Sequence, residues 1–216
     1  MDKEKKGRGE KLIRDTFFDV IDVAWPTLVI FLVIIIIIRI GYLKNNHKKF
    51  VFYSEGMNLL FLVYILLLFE LVTMKDVSVV GGTNFIPFTE IMRYKIGSTL
   101  FYQQVVGNII LFIPFGYFAS YYVKIKKPFI AFIITLLSSA VIETVQYYIG
   151  RSFDIDDIIL NVVGGLIGFL LYYFLEVIRK KLPSFFQKPF FYNLVMILFF
   201  GLLALYFLNF FNFGGI

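Results

Sequence analysis

Six apolar stretches, each long enough to cross a bilayer as a helix, recur along this chain: Val23–Leu43, Met57–Met74, Val105–Val123, Pro128–Ile149, Ile158–Ile178 and Phe190–Phe211. A hydrocarbon core about 30 Å thick needs about 20 apolar residues at helical rise. Within lipid, a backbone must satisfy its own hydrogen bonds, which leaves helices or a closed barrel. These runs are too long and too uniformly apolar for the alternating strands of a barrel. The isoleucine run Ile34–Ile38 has high strand propensity, yet a lone strand in lipid leaves its backbone unpaired, so helix is expected there too. The fold class that follows is all-α, a polytopic transmembrane bundle of about six helices.

Composition agrees. The 216 residues are 59% hydrophobic, with a mean hydropathy of +0.81, against about 45–50% apolar residues in soluble domains. With a single Trp and 14 Tyr, the aromatic belt at the membrane edges falls to tyrosine. Cysteine is absent, which excludes disulfides and thiolate metal sites within these residues. The net charge of +6 sits in short runs between the spans. That pattern suits lipid headgroups and positive-inside orientation rather than the continuous basic face of a nucleic-acid binder. The first apolar run is longer than a signal-peptide core, ends in Arg39 and lacks a small-residue cleavage site, so it is expected to remain as a span.

Residues 1–22 mix charge with apolar positions Leu12, Ile13, Phe17, Phe18, Val20 and Ile21 on roughly one helical face, which predicts an interfacial amphipathic segment. Lys and Arg counts balance between the two sides of the membrane. Three compact basic loops, Lys44–Lys49, Lys124–Lys127 and Arg179–Lys188, tip the orientation, because the positive-inside rule weights short loops. Those loops are expected in the cytoplasm, with residues 75–104 and 150–157 outside. At about thirty residues, 75–104 is the longest connection, and loops of that length usually have a function.

Polar residues in or beside the spans carry the chemistry, since an ionised group at mid-membrane costs about 2.5–3.5 kcal/mol. Gln104 and Asn108 lie four apart, and Pro114 removes a backbone donor from the same helix and predicts a kink. Ser139, Glu143 and Gln146 form one stripe on the fourth span. Asp154, Asp157 and Asn161 follow on the fifth, with Gly164-xxx-Gly168 behind them as a packing face. Asp156 is expected to cap its own helix, and Arg151 to snorkel or to pair with an aspartate. Glu143 lies about two turns inside its helix, and its expected partners are Arg151 and Asn108.

The segments NFIPFTEIMRY, GNIILFIPFG and SSAVIETVQYYIGRSFDIDDIILNVVGGLIG resemble the VanZ-like membrane protein family. That family has an N-x-IPF loop, an N-x-x-x-F-x-P-x-G helix, an S-x-x-x-E-x-x-Q helix and a D-I-x-D-x-x-x-N-x-x-G-G helix, and all four blocks occur here in order. The resemblance covers about residues 84–170 and carries Asn84, Pro87, Phe88, Asn108, Pro114, Gly116, Ser139, Glu143, Gln146, Arg151, Asp154, Asp157, Asn161 and Gly164 onto family positions. This chain departs from the pattern in its long N-terminal segment and added first span.

The resemblance implies a multi-pass protein of the bacterial cell membrane, with low-level resistance to the glycopeptide teicoplanin as the family's named activity, and it supports the outward placement of 75–104 and 150–157. The organisation expected is an N-terminal segment 1–22, two spans over 23–74, an extracellular loop 75–104, a VanZ-like three-helix core 105–178, and a basic loop with a C-terminal span over 179–216.

Two functions remain open at this point. In the first, an outward-facing polar pocket binds a lipid-linked wall precursor, a lipid headgroup or a glycopeptide-related ligand. Arg151 would be the anion clamp, with Asn108, Gln146 and Asn161 giving directional hydrogen bonds beside Glu143, Asp154 and Asp157. In the second, the protein is an intramembrane enzyme acting on a lipid or polyprenyl headgroup. Glu143 would then be the general base, and Asp154 and Asp157 would hold magnesium or calcium. No His-based or Ser/His/Asp arrangement is present, and the one histidine, His47, sits in a basic loop; binding is therefore favoured over catalysis. A channel is the weakest reading, because the polar stripe is short. The loop signature Asn84, Pro87 and Phe88 is the further candidate region. The residue pattern leaves the cofactor open, and the expected partners are membrane lipids rather than nucleic acid.

Overall fold

A helix that faces lipid has no reason to be amphipathic, and the spans of this protein expose apolar side chains on most of their circumference, among them Ile37, Ile38, Phe129, Leu137, Leu170 and Leu202. The structure, a computed structural model, describes residues 25–73 and 83–213, with side chains through Tyr206. The helices are α1 (Trp25–Asn45), α2 (Phe52–Thr73), α3 (Thr89–Arg93), α4 (Gly107–Val123), α5 (Pro128–Tyr148), α6 (Ile155–Lys181) and α7 (Pro189–Phe213). A π-helical turn, Phe101–Val106, leads into α4, so the third span begins at Phe101. Among the described residues, six helices are long and apolar enough to cross a membrane. The protein is a multi-pass, essentially all-α chain. The expected interfacial segment 1–22 and the first residues of the 75–104 loop lie outside the described residues.

Three spans start at least three residues earlier than hydropathy alone predicts, the second by five residues, the third by four and the fifth by three. The reason is local: polar residues such as Ser54, Glu55, Gln103 and Asp156 continue a helix that an apolar window cuts short.

The chain divides into two compact units. In the unit formed by residues 31–63 and 175 onward, Arg39 makes a two-pronged ion pair with Glu55, at 2.8 Å for both Nε and Nη2. Such a fork satisfies both charges at once. The side chain of Asn193 accepts the Tyr53 backbone N–H at 2.9 Å, which supplies a partner at the otherwise unpaired start of α2.

The other unit, residues up to 30 and 64–174, holds the polar stripe. Its centre is built on glycine. A Cβ on Gly116 would collide with the Gly165 carbonyl, one on Gly164 with the Ile109 carbonyl, and one on Gly168 with the Ile113 carbonyl. Backbone thus meets backbone between α4 and α6, as the Gly164-xxx-Gly168 spacing predicts. Thr135 of α5 fills the space over Gly165, and its hydroxyl returns to the Ala131 carbonyl at 2.8 Å. Ile125, Ala131 and Phe169 pack beneath. Pro114 lies inside α4 without ending it. Beside the carbonyl it leaves unpaired, the Tyr64 hydroxyl donates to Leu111 O at 3.0 Å.

Candidate functional site

Two connections meet at one end of this unit. Thr83–Asn84 (β1) pairs in parallel with Phe153–Asp154 (β2), Thr83 opposite Phe153 and Asn84 opposite Asp154. Each strand is two residues long, so side chains must do most of the holding. Asp154 does it twice. Its Oδ1 accepts Asn84 Nδ2 at 2.9 Å and the Asp156 backbone N–H at 2.9 Å. The second bond is an N-cap, satisfying one of the free donors that open α6.

Asp156 is buried, at 1% exposure, and it corrects the expectation that it caps its own helix. Its carboxylate crosses to the long loop and accepts the backbone N–H groups of Phe88, Glu90 and Ile91, the last two at 2.8 and 3.1 Å. These are the unpaired donors of the short helix α3. A negative charge at that end also suits the helix dipole. The cap is supplied in trans because Phe88, the residue where a cap would stand, has no side-chain acceptor and lies in the left-handed region at φ 68°.

The α5 stripe reaches the same place from below. Ser139, Glu143 and Gln146 are all buried. Glu143 Oε2 accepts the Asp154 backbone N–H at 3.1 Å. With the Gln146 amide oriented so that both its ends are satisfied, its nitrogen donates to Glu143 Oε1 at 2.9 Å and its oxygen accepts Arg151 Nη1 at 3.1 Å. A relay Glu143–Gln146–Arg151 therefore sets the guanidinium, which also donates to the Val72 carbonyl at 3.4 Å. Gly150 makes this possible. Its left-handed backbone, φ 94°, ends α5 with Arg151 N–H on the Gln146 carbonyl and Gly150 N–H on the Tyr147 carbonyl, a Schellman turn that brings Arg151 back over its own helix.

Asn108 does not face Glu143 as expected. Its amide donates to Asp157 instead, which ties α4 to the first turn of α6. Asn161 lies deeper, 4% exposed; it donates to Ser139 Oγ at 2.9 Å, and its Oδ1 has no partner among the described residues. Burial pushes the Asp154 carboxyl above the usual carboxylate range, against the two hydrogen bonds that favour its charge.

Above these residues is a cavity of about 380 Å³, lined by loop residues Asn84, Glu90, Arg93 and Tyr94, by Gln104 of the π turn, and by Gln146, Arg151, Asp154, Asp156 and Asp157. Of the residues singled out from the sequence, Asn84, Gln104, Gln146, Arg151, Asp154, Asp156 and Asp157 form its wall. Glu143, Asn108 and Asn161 do not reach it and brace it from behind; Pro87 and Phe88 belong to the loop but not to the wall. Glu90, Arg93 and Tyr94 were missed as site residues. Their signal was present in the TEIMRY string, where Glu90 and Arg93 stand at i and i+3 and form an ion pair at 3.2 Å.

The pair Asp154 and Asp157, considered for a divalent cation, are each engaged with an amide donor. Among the described residues, no three His, Asp or Glu side chains are grouped so as to hold a metal ion.

The VanZ/LLP1 family model matches residues 56–176. Protein VanZ of Enterococcus faecium is 36% identical over 95 residues, an alignment that takes in 41% of this chain and 51% of that protein. The chain thus spans about half the length of that curated relative. No solved structure matches it. The family match runs through more than half of the chain and contains every residue that lines the cavity, and on that ground the chain belongs to the VanZ/LLP1 family.

Proposed function

We propose that this protein sits in the bacterial cell membrane and holds, without breaking a bond in it, the polar end of a lipid-linked wall precursor or a glycopeptide-related ligand. The loop-side cavity faces out of the cell. Low-level tolerance of a glycopeptide such as teicoplanin is the cellular consequence to look for. One observation carries the reading: Arg151 is aimed at a polar cavity by a buried relay, while the carboxylates around it are occupied in holding that cavity together. A guanidinium held by its neighbours is preorganised for a phosphate or carboxylate, to which it offers parallel donors. The amides of Asn84, Gln104 and Gln146 add direction.

The same geometry weighs against Glu143 as a general base. A base must come within hydrogen-bond reach of the proton it takes. Glu143 is 2% exposed, and both its oxygens accept bonds from Asp154 and Gln146.

The test is Arg151→Gln in the full chain in nanodiscs, with binding of a purified lipid-linked wall precursor and of teicoplanin measured separately. Losing charged hydrogen bonds of about 1.5–3 kcal/mol predicts roughly 10- to 100-fold weaker binding at an unchanged oligomeric state. Equal affinity of variant and parent for both ligands refutes the reading. Headgroup release on incubation, lost in Glu143→Gln, would establish the enzyme instead.

A further inference from the structure

The loop above the cavity has two chemically different sides. Its cavity side carries Thr83, Asn84, Glu90, Ile91, Arg93 and Tyr94. Away from the cavity it exposes Phe85, Ile86, Phe88, Met92, Ile96 and Leu100, with Met92 and Ile96 more than four-fifths accessible. None of these six lines the cavity. Flexibility does not account for their exposure. Asp156 pins the backbone at Phe88, Glu90 and Ile91, Asp154 pins Asn84, and Phe85 packs on the Phe153 ring with centroids 5.3 Å apart.

Phe88 sharpens the point. A left-handed backbone suits Gly or Asn, and a bulky residue there is an outlier. Local backbone preference therefore gives no reason for this aromatic ring, which points outward and is half exposed.

Two further facts identify what covers this side. The loop runs directly into the third span at Phe101. At the same end of the unit, α5 finishes with exposed Tyr147 and Tyr148, the amphipathic aromatics of a membrane edge. The apolar side of the loop thus continues the lipid-facing surface of the spans. Lys95 is exposed beside Ile96, and Arg93 at the cavity rim is 73% exposed; basic groups thus flank the apolar side, the pattern of an element that lies in the headgroup layer with basic groups toward anionic lipid.

The geometry points to residues 85–100 as an interfacial element, immersed in the headgroup layer of one leaflet, that forms a lateral doorway through which a lipid headgroup passes from the membrane into the cavity. The doorway rests on the ligand-holding reading of the cavity; the immersion does not. The occupant of this apolar surface is the protein's own bilayer. Lipid chains lie against Ile86, Phe88, Met92 and Ile96, and a headgroup reaches past α3 toward Arg93 and Arg151.

The absence of native cysteine allows a direct test. M92C, I96C and, as a water-facing reference, K126C are each labelled with bimane in the full chain and reconstituted in phosphatidylcholine–phosphatidylglycerol vesicles. Lipids carrying a shallow doxyl group should quench the labels at 92 and 96 about twofold or more, and aqueous iodide should quench them less than the label at 126, as expected for an element buried about 5–10 Å into the interface. Labels at 92 and 96 that answer to iodide like the reference and ignore doxyl lipid overturn the immersion. Protection that depends on protein density rather than on doxyl lipid assigns the surface to a second copy and also overturns it.

The doorway is read by M92E/I96E. Slower loading of a vesicle-borne lipid-linked precursor, with equal affinity for the same headgroup in detergent, supports it; unchanged loading refutes it. Doxyl quenching without any precursor binding in the parent leaves the immersion standing and removes the function proposed for the cavity.

Discussion

Asp154 and Asp156 stand two residues apart and do different work, and only their partners reveal which. Asp156 gives three backbone donors of another segment their acceptor, so its charge is matched by α3. Removing it leaves those N–H groups without a partner, at about 1–3 kcal/mol for each group left buried. Asp156→Ala should therefore lower stability by about 3 kcal/mol and release residues 86–92, read as faster amide exchange at Phe88, Glu90 and Ile91; unchanged protection there would refute the cap. Asp154 uses a single oxygen for both of its bonds, and an asparagine oxygen can accept both. Because the Asp154 pKa is raised in the folded state, its contribution to stability is present below the unfolded value and is lost as pH rises through the folded one. Asp154→Asn should therefore keep or raise the melting temperature at pH 7 and flatten the decline in stability with rising pH. A melting temperature several degrees lower at pH 7 would show that the charge itself is required.

At the scale of elements, the contact between α4 and α6 depends on the absence of side chains. Three glycines there would place a Cβ against a backbone carbonyl, and backbone cannot rotate aside as a side chain can. Gly164→Ala and Gly116→Ala should each destabilise the protein by about 3 kcal/mol, the upper part of the usual overpacking range. Gly201 in α7 meets nothing within 4 Å. Gly201→Ala should leave stability unchanged or raise it by up to about 1 kcal/mol, the helix propensity difference. Thermal melts in detergent check all three, and equal melts for the three variants would refute close packing. The same helices bring Asn108 of α4 to Asp157 of α6, so loosening the glycine contact should also weaken ligand binding without substituting any residue of the cavity wall.

For the whole molecule, six alternating spans place the connection before α4 and the connection between α5 and α6 on one side, and the β1–β2 pairing joins those two connections directly. The distribution of Lys and Arg predicts that this side faces out. On intact cells, S152C should react with an impermeant thiol reagent and K126C should not, since Lys126 lies in a basic loop. The reverse pattern would turn the cavity toward the cytoplasm and exclude an extracellular ligand, while leaving the fold and the pinning of the loop as they are.

The all-α class, the number of spans and the residues at the family positions were legible from sequence because each is a local property: apolar length sets a span, and short spacings set a helix face. The stripe Ser139, Glu143 and Gln146 and the packing role of Gly164 and Gly168 were readable for the same reason. What the sequence did not determine is who meets whom across 49 to 70 residues of chain: Asn108 with Asp157, Asn84 with Asp154, and Asp156 with the start of α3. A carboxylate looks the same in sequence whether it caps its own helix, braces a neighbour or faces a ligand. Only the tertiary structure sorts those roles, because each is set by which donor comes within hydrogen-bond reach, and that depends on how closely the glycines let α4 and α6 approach.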